Sequence, residues 1–225
     1  VIKFLRRVHS ASESLVLDLA WLGMHQLFID TQALSGLTTL NLSGNRFERL
    51  PEEISALRFL RMLTLDENLL VVLPPLLAAL PALERLSFKG NPLEWPPEHV
   101  ANSGTDAIQG FLRPLLDCDV SGVLDLGGWQ LLSLHDSVCD MAGLTHLSLD
   151  SNLCKALPRD LGRLQNLNVL SARGNLLESM PASLGQLTNL RTLLLDGNER
   201  LEVLPPEACR LAVLQELGVE GCGLR

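Results

Sequence analysis

Several residue types are scarce in this sequence, and each scarcity excludes a class of protein. Tyrosine is absent and aromatic residues make up only 4%, so the core has to be built from aliphatic side chains. Lysine and arginine number 18 against 26 aspartate and glutamate, a net charge of -8, which argues against nucleic acid or an anionic membrane as the partner. No apolar run is long enough to span a bilayer, so we expect no membrane insertion.

The cysteines and the catalytic residue types form no recognisable arrangement. The five cysteines are odd in number and lack C-x-x-C spacing, so we expect reduced thiols, no bound metal and a cytoplasmic location. No G-x-x-x-x-G-K-[ST], G-x-G-x-x-G, H-E-x-x-H or G-x-S-x-G motif occurs. His135 and Asp136 are adjacent, but neighbours on an extended segment point apart. We expect no catalytic residue, no cofactor and no enzymatic activity within these residues.

Leucine, by contrast, is abundant and regularly spaced. Residues Leu37–Pro51 read L-x-x-L-x-L-x-x-N-x-F-x-x-L-P, and the pattern recurs along the chain at a nearly constant step, broken once after the fourth repeat. The first leucine of each central pair marks the repeats, of which the last is incomplete: Leu17, Leu40, Leu63, Leu86, Leu124, Leu147, Leu170, Leu193 and Leu217. This short and regular period indicates an elongated repeat array rather than one or two globular domains.

A longer period lies over the short one. Phe4-Leu5-Arg6 is matched by Phe111-Leu112-Arg113, and Asn45 is matched by Asn152 at the same offset. We therefore expect two blocks of the same design, each with a helical lead-in and a divergent first repeat. The expected divisions are a helical lead-in at 1–13, four repeats at 14–103, an inserted helix or internal cap at 104–120, and five repeats at 121–225.

The inserted segment has helical apolar spacing. Ile108, Phe111 and Leu112 would share one face of a short helix, and Ser103, Thr105 or Asp106 could cap its start. Pro114 should end or kink this helix, because proline lacks the backbone donor of a helix interior.

The residues of one repeat explain its spacing. Alternation in Thr39–Ser43 sends Leu40 and Leu42 inward, which predicts a short strand with one buried face. An asparagine follows where the chain turns away, and its amide can bond main-chain groups of adjacent turns. We expect a structural asparagine ladder formed by Asn45, Asn68, Asn91, Asn152, Asn175 and Asn198.

These repeats resemble the leucine-rich repeat proteins, specifically the 23-residue intracellular type of the plant Ras-group proteins and the Roco GTPases. Asn91-Pro92-Leu93 and Phe111-Leu112-Arg113 also look like the element that closes such arrays in Roco proteins. The resemblance implies an α/β fold. It would be a curved leucine-rich repeat solenoid, with a parallel β-sheet on the concave face and short helices, 3-10 turns and extended segments on the convex face.

The same resemblance implies that another protein binds the concave face. Alternation assigns three outward columns to that face, the third being weakly acidic, which favours a partner with a basic or mixed-charge surface. A solvated face without a specific role fits the charges equally well. The residues expected to contact a partner are Met62, Asp66, Arg85, Lys89, His146, Asp150, Arg173, Asp196 and Glu220.

Three functions compete at this point. The first is a protein-protein interaction scaffold in intracellular signalling. The second is the recognition segment of a larger signalling enzyme, such as a Roco-type GTPase or kinase, whose catalytic domain lies outside this sequence. The third is an extracellular receptor ectodomain, which paired cysteines and a signal peptide would favour.

Overall fold

A computed structural model of the chain describes residues 2–27 and 34–225. Val1, at the start of the expected lead-in, and residues 28–33 of the expected first repeat lie outside the described residues. The chain divides into two compact units, which we call the first unit, ending at Leu116, and the second unit, beginning at Asp117.

Each unit contains one parallel sheet built from three-residue strands. The first unit begins with helix α1 (Ile2–Ser14), followed by strands β1 (Val16–Asp18), β2 (Thr39–Asn41), β3 (Met62–Thr64) and β4 (Arg85–Ser87), which pair in sequence order. The second unit contains β5 (Val123–Asp125), β6 (His146–Ser148), β7 (Val169–Ser171), β8 (Thr192–Leu194) and β9 (Glu216–Gly218), also in sequence order.

The register of both sheets follows the repeat period. Leu17 pairs with Leu40 and Leu40 with Leu63, so the same repeat position recurs across the sheet. These leucines are fully buried, because strand alternation points them away from the outward side of the sheet. The predicted repeat solenoid with parallel sheets is confirmed.

The return path of each regular repeat is short and contains a 3-10 turn. Pro51, for example, has extended backbone angles (φ -71°, ψ 146°) and precedes a turn in which Ile54 is buried. Because a single 3-10 turn needs few residues, each repeat can close within its short period. The turns span Glu52–Ala56, Pro75–Ala79, Asp136–Asp140, Leu161–Arg163, Ala182–Gln186 and Pro206–Arg210.

Two helices follow β4: α2 (Glu98–Ala101) and α3 (Thr105–Ser121). Pro114 was expected to end or kink the helix, and the first of these alternatives is wrong, because α3 continues beyond it to Ser121. Proline removes one hydrogen bond, to the carbonyl of Gly110, and Gly110 is exposed so that water can bond its carbonyl. Phe111 and Leu115 are buried on either side of Pro114 and hold the helix in place.

The first turns of α3 bond the last two repeats of the first unit. The Thr105 hydroxyl oxygen accepts a hydrogen bond from the Leu86 amide of β4 at 3.1 Å. The Gln109 side chain donates to the carbonyl oxygens of Leu77 and Leu80, which precede β4, at 3.1 and 2.9 Å. The start of α3 therefore supplies partners to main-chain groups of both repeats.

The junction between α1 and β1 and the junction between α3 and β5 have the same hydrogen bonds. The Ser14 hydroxyl donates to the Ser10 carbonyl and accepts from the amide of Val16. Ser121, the matching residue of the second block, makes the equivalent bonds to the carbonyl of Asp117 and the amide of Val123. The long sequence period is thus a repeated helix-to-strand junction.

Candidate functional site

The outward side chains of each sheet form a surface of three columns, which we call the sheet face. The first column begins each strand and the middle column ends it. The third column lies two residues further on, where backbone bonds such as Trp21 N–H to Ser43 C=O continue the ladder beyond the strands. Met62, Asp66, Arg85 and Lys89 of the expected site lie in the first unit; His146, Asp150, Arg173, Asp196 and Glu220 lie in the second.

The two sheet faces differ in charge. In the first unit the columns carry Asp18 and Asp66 against Arg85 and Lys89, so the charges balance. The second unit is acidic, because one arginine faces five carboxylates. Those second-unit side chains are Asp125, Asp150, Asp196, Glu216 and Glu220, with Arg173 as the cation. The third column was expected to be weakly acidic, and the excess of acid on the sheet faces belongs to the second unit.

Several of the expected contact residues bond the protein itself. One Asp66 carboxylate oxygen accepts hydrogen bonds from the Ser87 hydroxyl at 2.6 Å and the Lys89 backbone amide at 2.7 Å. Asp150 makes the same two bonds to the following repeat, at 2.6 and 2.8 Å. Bonds to an ionised acceptor are stronger than neutral ones, so these aspartates tie adjacent repeats together.

Asp196 has the same role with different partners. It accepts from the Glu220 amide at 2.9 Å and from the Arg173 guanidinium at 3.0 Å. The Glu220 amide, with the Arg173 side chain, lowers the pKa of this carboxyl below its usual value against the opposing effect of burial. Gly218 stands where Ser87 and Ser171 bond the other two aspartates, and a Cβ there would overlap the Asp196 carboxylate.

A shallow depression of about 370 Å³ lies on the first sheet face. Its lining includes the expected site residues Met62 and Arg85, together with the hydroxyl side chains of Thr64, Ser87 and Thr105. The Ser87 hydroxyl donates a hydrogen bond to Asp66, and the Thr105 hydroxyl accepts one from a backbone amide. Both hydroxyls therefore already have a partner within the protein.

His146 is held in one orientation on the second sheet face. Its Nδ1 lies 2.9 Å from the Thr145 hydroxyl, which also lies 2.9 Å from the carbonyl oxygen of Gly122. The contact with Thr145 holds the His146 ring in this orientation.

The expected asparagines bridge neighbouring repeats. The Asn175 amide donates to the carbonyls of Leu149 and Ala172, at 2.8 and 3.1 Å, and its oxygen accepts from the Cys154 amide at 3.0 Å. One side chain thereby pairs main-chain groups of its own repeat and of the preceding one. Equivalent bonds to the preceding repeat are made by Asn45, Asn68, Asn91, Asn152 and Asn198.

The departures from asparagine follow from this geometry. Leu22 and Trp129 stand at the asparagine position in the first repeat of each block, where a helix rather than a repeat precedes the strand. A bridging amide has no preceding repeat to bond there. Cys222 occupies the position in the last repeat, and its thiol donates to the Leu195 carbonyl at 3.1 Å. A thiol therefore replaces one bond of the amide.

Burial disfavours the reactive thiolate at three of the other cysteines. Cys139 and Cys154 are buried, and burial raises the pKa of each thiol to about 11. Cys118 is also buried, and its pKa is raised by burial and by Asp119. Across residues 2–27 and 34–225, no group of three or more His, Cys, Asp and Glu side chains could hold a metal ion. In the same residues, no helix has the length and apolarity needed to cross a membrane.

Family comparison agrees with the repeat geometry over most of the chain. The family described as "Leucine-rich repeat region" matches residues 100–222, and the one described as "Leucine rich repeat" matches residues 35–93. The chain is a leucine-rich repeat protein. No curated protein matches its sequence significantly.

Solved leucine-rich repeat structures are similar to this chain at low identity. An LRR protein of Leptospira interrogans is 25% identical with a TM-score of 0.46, over 98% of this chain and 64% of that one. YopM, a leucine-rich effector protein from Yersinia pestis, is 23% identical with a TM-score of 0.39, over 98% and 54%. Internalin C2 from Listeria monocytogenes is 18% identical with a TM-score of 0.39, over 96% and 92%. This chain spans less than two thirds of the first two proteins.

Proposed function

We propose that this leucine-rich repeat protein is a non-enzymatic interaction scaffold that binds a basic protein surface on the sheet face of its second unit. The observation that carries the proposal is the unequal charge of the two sheet faces. Five carboxylates stand against one arginine on the second face, whereas the first face is balanced. Opposite charge on a partner would speed encounter and fix its orientation.

The shape of the second sheet face supports the same function. Three of the five residues in its middle column, Ser148, Ser171 and Gly218, are small. A partner can therefore approach the backbone closely and still reach the carboxylates of the third column. The first column contributes Val123, 47% exposed, and the oriented ring of His146.

The hydrogen bonds determine which carboxylates are suitable for a test. Reversing the charge of Asp150 or Asp196 would also break bonds between repeats. Glu216 and Glu220 are exposed and can be changed to lysine with less effect on the fold. Glu52→Lys with Glu53→Lys is the matched control, because it changes the net charge equally at an exposed 3-10 turn.

The experiment is affinity purification from a lysate of the source cell with the parent, the Glu216→Lys/Glu220→Lys variant and the control variant as baits. We expect a basic partner recovered by the parent and the control and lost by the second-unit variant. Equal recovery by all three would contradict the proposal. If the partner binds only when sequence outside this chain is also present, that result would instead favour the second function, the recognition segment of a larger enzyme.

The finer features belong to the same proposal. The protein acts in the cytoplasm, in signalling, and its repeats are of the 23-residue intracellular type. The regular spacing of the repeat leucines and the five free cysteines support this assignment. Microscopy of the fluorescently tagged protein in its own cell tests the location, and secretion would contradict it.

A further inference from the structure

Trp21 is 74% exposed and stands directly after the third column of the first sheet face. Its backbone is left-handed, with φ of 59°. The equivalent residue of every repeat has a positive φ, and six of the nine are glycine. In repeat order these residues are Trp21, Gly44, Glu67, Gly90, Gly128, Ser151, Gly174, Gly197 and Gly221.

A tryptophan is costly at this position. The left-handed region is disfavoured for a bulky side chain, and glycine avoids that cost in most of the repeats. Burial of the ring would offset the cost, but the side chain remains mostly exposed. An exposed aromatic residue held in an unfavourable conformation is a candidate for function rather than for stability.

The orientation of the ring is fixed by the next repeat. A Cβ on Gly44 would overlap the Trp21 indole, so the ring lies directly against that glycine. The indole contacts the next repeat at Gly44 and remains mostly exposed to solvent. It is therefore a flat aromatic surface that a partner can reach.

A carboxylate occupies the same column two repeats away. Glu67 is exposed and left-handed, with φ of 52°, and its carboxylate lies against Gly90. Neighbouring parallel strands are about 4.8 Å apart, so the backbones of residues 21 and 67 are separated by about 10 Å. Three residues of an extended chain span that distance.

We infer that Trp21 and Glu67 form a docking rim for an extended, arginine-containing segment of a partner protein, with one guanidinium stacked on the indole and a second basic group paired with Glu67. The inference deepens the proposed scaffold function and rests on it. Arginine fits because its planar cation stacks on tryptophan, and both residues are enriched among binding hot spots. The nearby cation Arg7 is already engaged, since it donates to the carbonyls of Asp18 and Ala20.

A library of short peptides, with one position fixed and the others randomised, tests the chemistry directly on the whole chain. We expect selection of arginine by the parent, weakened on the order of tenfold in Trp21→Gly and partly kept in Trp21→Phe. Glu67→Gln should reduce selection at the second basic position. Selection of acidic residues is the opposite result, since Arg46 and Lys89 are exposed nearby, and it overturns the inference. Absence of selection, or arginine selection unchanged in Trp21→Gly, also overturns it.

Thermal unfolding separates binding from a structural role. Trp21→Gly removes the left-handed strain, so its melting temperature should equal or exceed that of the parent. Loss of binding together with a lower melting temperature would make Trp21 structural and overturn the inference. The Glu216→Lys/Glu220→Lys variant should keep the arginine selection of the first unit, so failure of the second-face proposal is distinguishable from failure of this one.

Discussion

Replacing Asn175 with alanine tests how the repeats are joined. The Asn175 side chain is 3% exposed and bonds the carbonyls of Leu149 and Ala172 and the amide of Cys154. Alanine removes the amide and introduces no new polar group. The Cys154 amide loses its acceptor, whereas the two carbonyls lose one of two donors.

The cost follows from the one group left unpaired. The carbonyls of Leu149 and Ala172 each keep a second hydrogen bond, from the amides of Asn152 and Asn198 at 2.8 and 2.9 Å. The buried Cys154 amide loses the Asn175 oxygen as its acceptor, and an orphaned buried donor costs about 1–3 kcal/mol, so we expect that loss in the free energy of unfolding. Because Cys154 belongs to the preceding repeat, the loss should weaken the junction between repeats as well as the repeat that carries the substitution.

Asn189→Ala is the matched control. Asn189 is exposed, and its amide donates to one carbonyl, that of Gln165, at 2.8 Å. Water can replace that bond, so we expect a loss below about 1 kcal/mol. Urea unfolding followed by circular dichroism gives both values, and hydrogen exchange at Cys154 reports the junction directly. Equal destabilisation by the two variants would refute the reasoning.

Three further predictions follow from the same contacts. Thr105→Val should speed hydrogen exchange at the Leu86 amide and lower the free energy of unfolding in denaturant by about 1 kcal/mol, because a valine side chain cannot accept the hydrogen bond of that amide. Unchanged exchange at Leu86 would contradict this. A maleimide should label the exposed Cys209 in the native protein, whereas Cys154, which is buried and has a pKa of about 11, should be labelled only after unfolding. Mass spectrometry identifies the labelled cysteine, and labelling of Cys154 in the native protein would contradict its burial. The Asp196 pKa is lowered in the folded state, so the ionised carboxylate stabilises the fold fully above the unfolded pKa of about 4, and this stabilisation is lost as pH falls through the lower folded pKa. The difference in unfolding free energy between the parent and Asp196→Asn should therefore shrink over that pH range. A difference that stays constant with pH would contradict the assignment.

The regular part of the fold could be predicted because one period governs it. Leucine alternation in Thr39–Ser43 identified the strand, and the constant repeat step identified the register of its neighbours. Both follow from local backbone geometry repeated many times. The end of α3 could not be predicted in the same way, since burial of Phe111 and Leu115 outweighs the helix-breaking tendency of Pro114.

The candidate surfaces were predicted less completely. Asp66 and Asp150 were expected to contact a partner, which stays a prediction, and the structure adds that both bond the next repeat. Trp21 was missed altogether, although a signal was present. A glycine recurs before the ladder asparagine, and a tryptophan in that position is an exception that the repeat alignment already contains.

The sequence by itself determined the repeat, the inward leucines, the outward columns and the asparagine positions, because each depends on spacing within or between identical turns. Only the tertiary structure decided what each outward side chain does. Whether a carboxylate is free or bonded depends on which amide the next repeat brings within about 3 Å. Likewise, the Trp21 ring can lie over the following repeat only because that repeat has Gly44, with no side chain, at the point of contact.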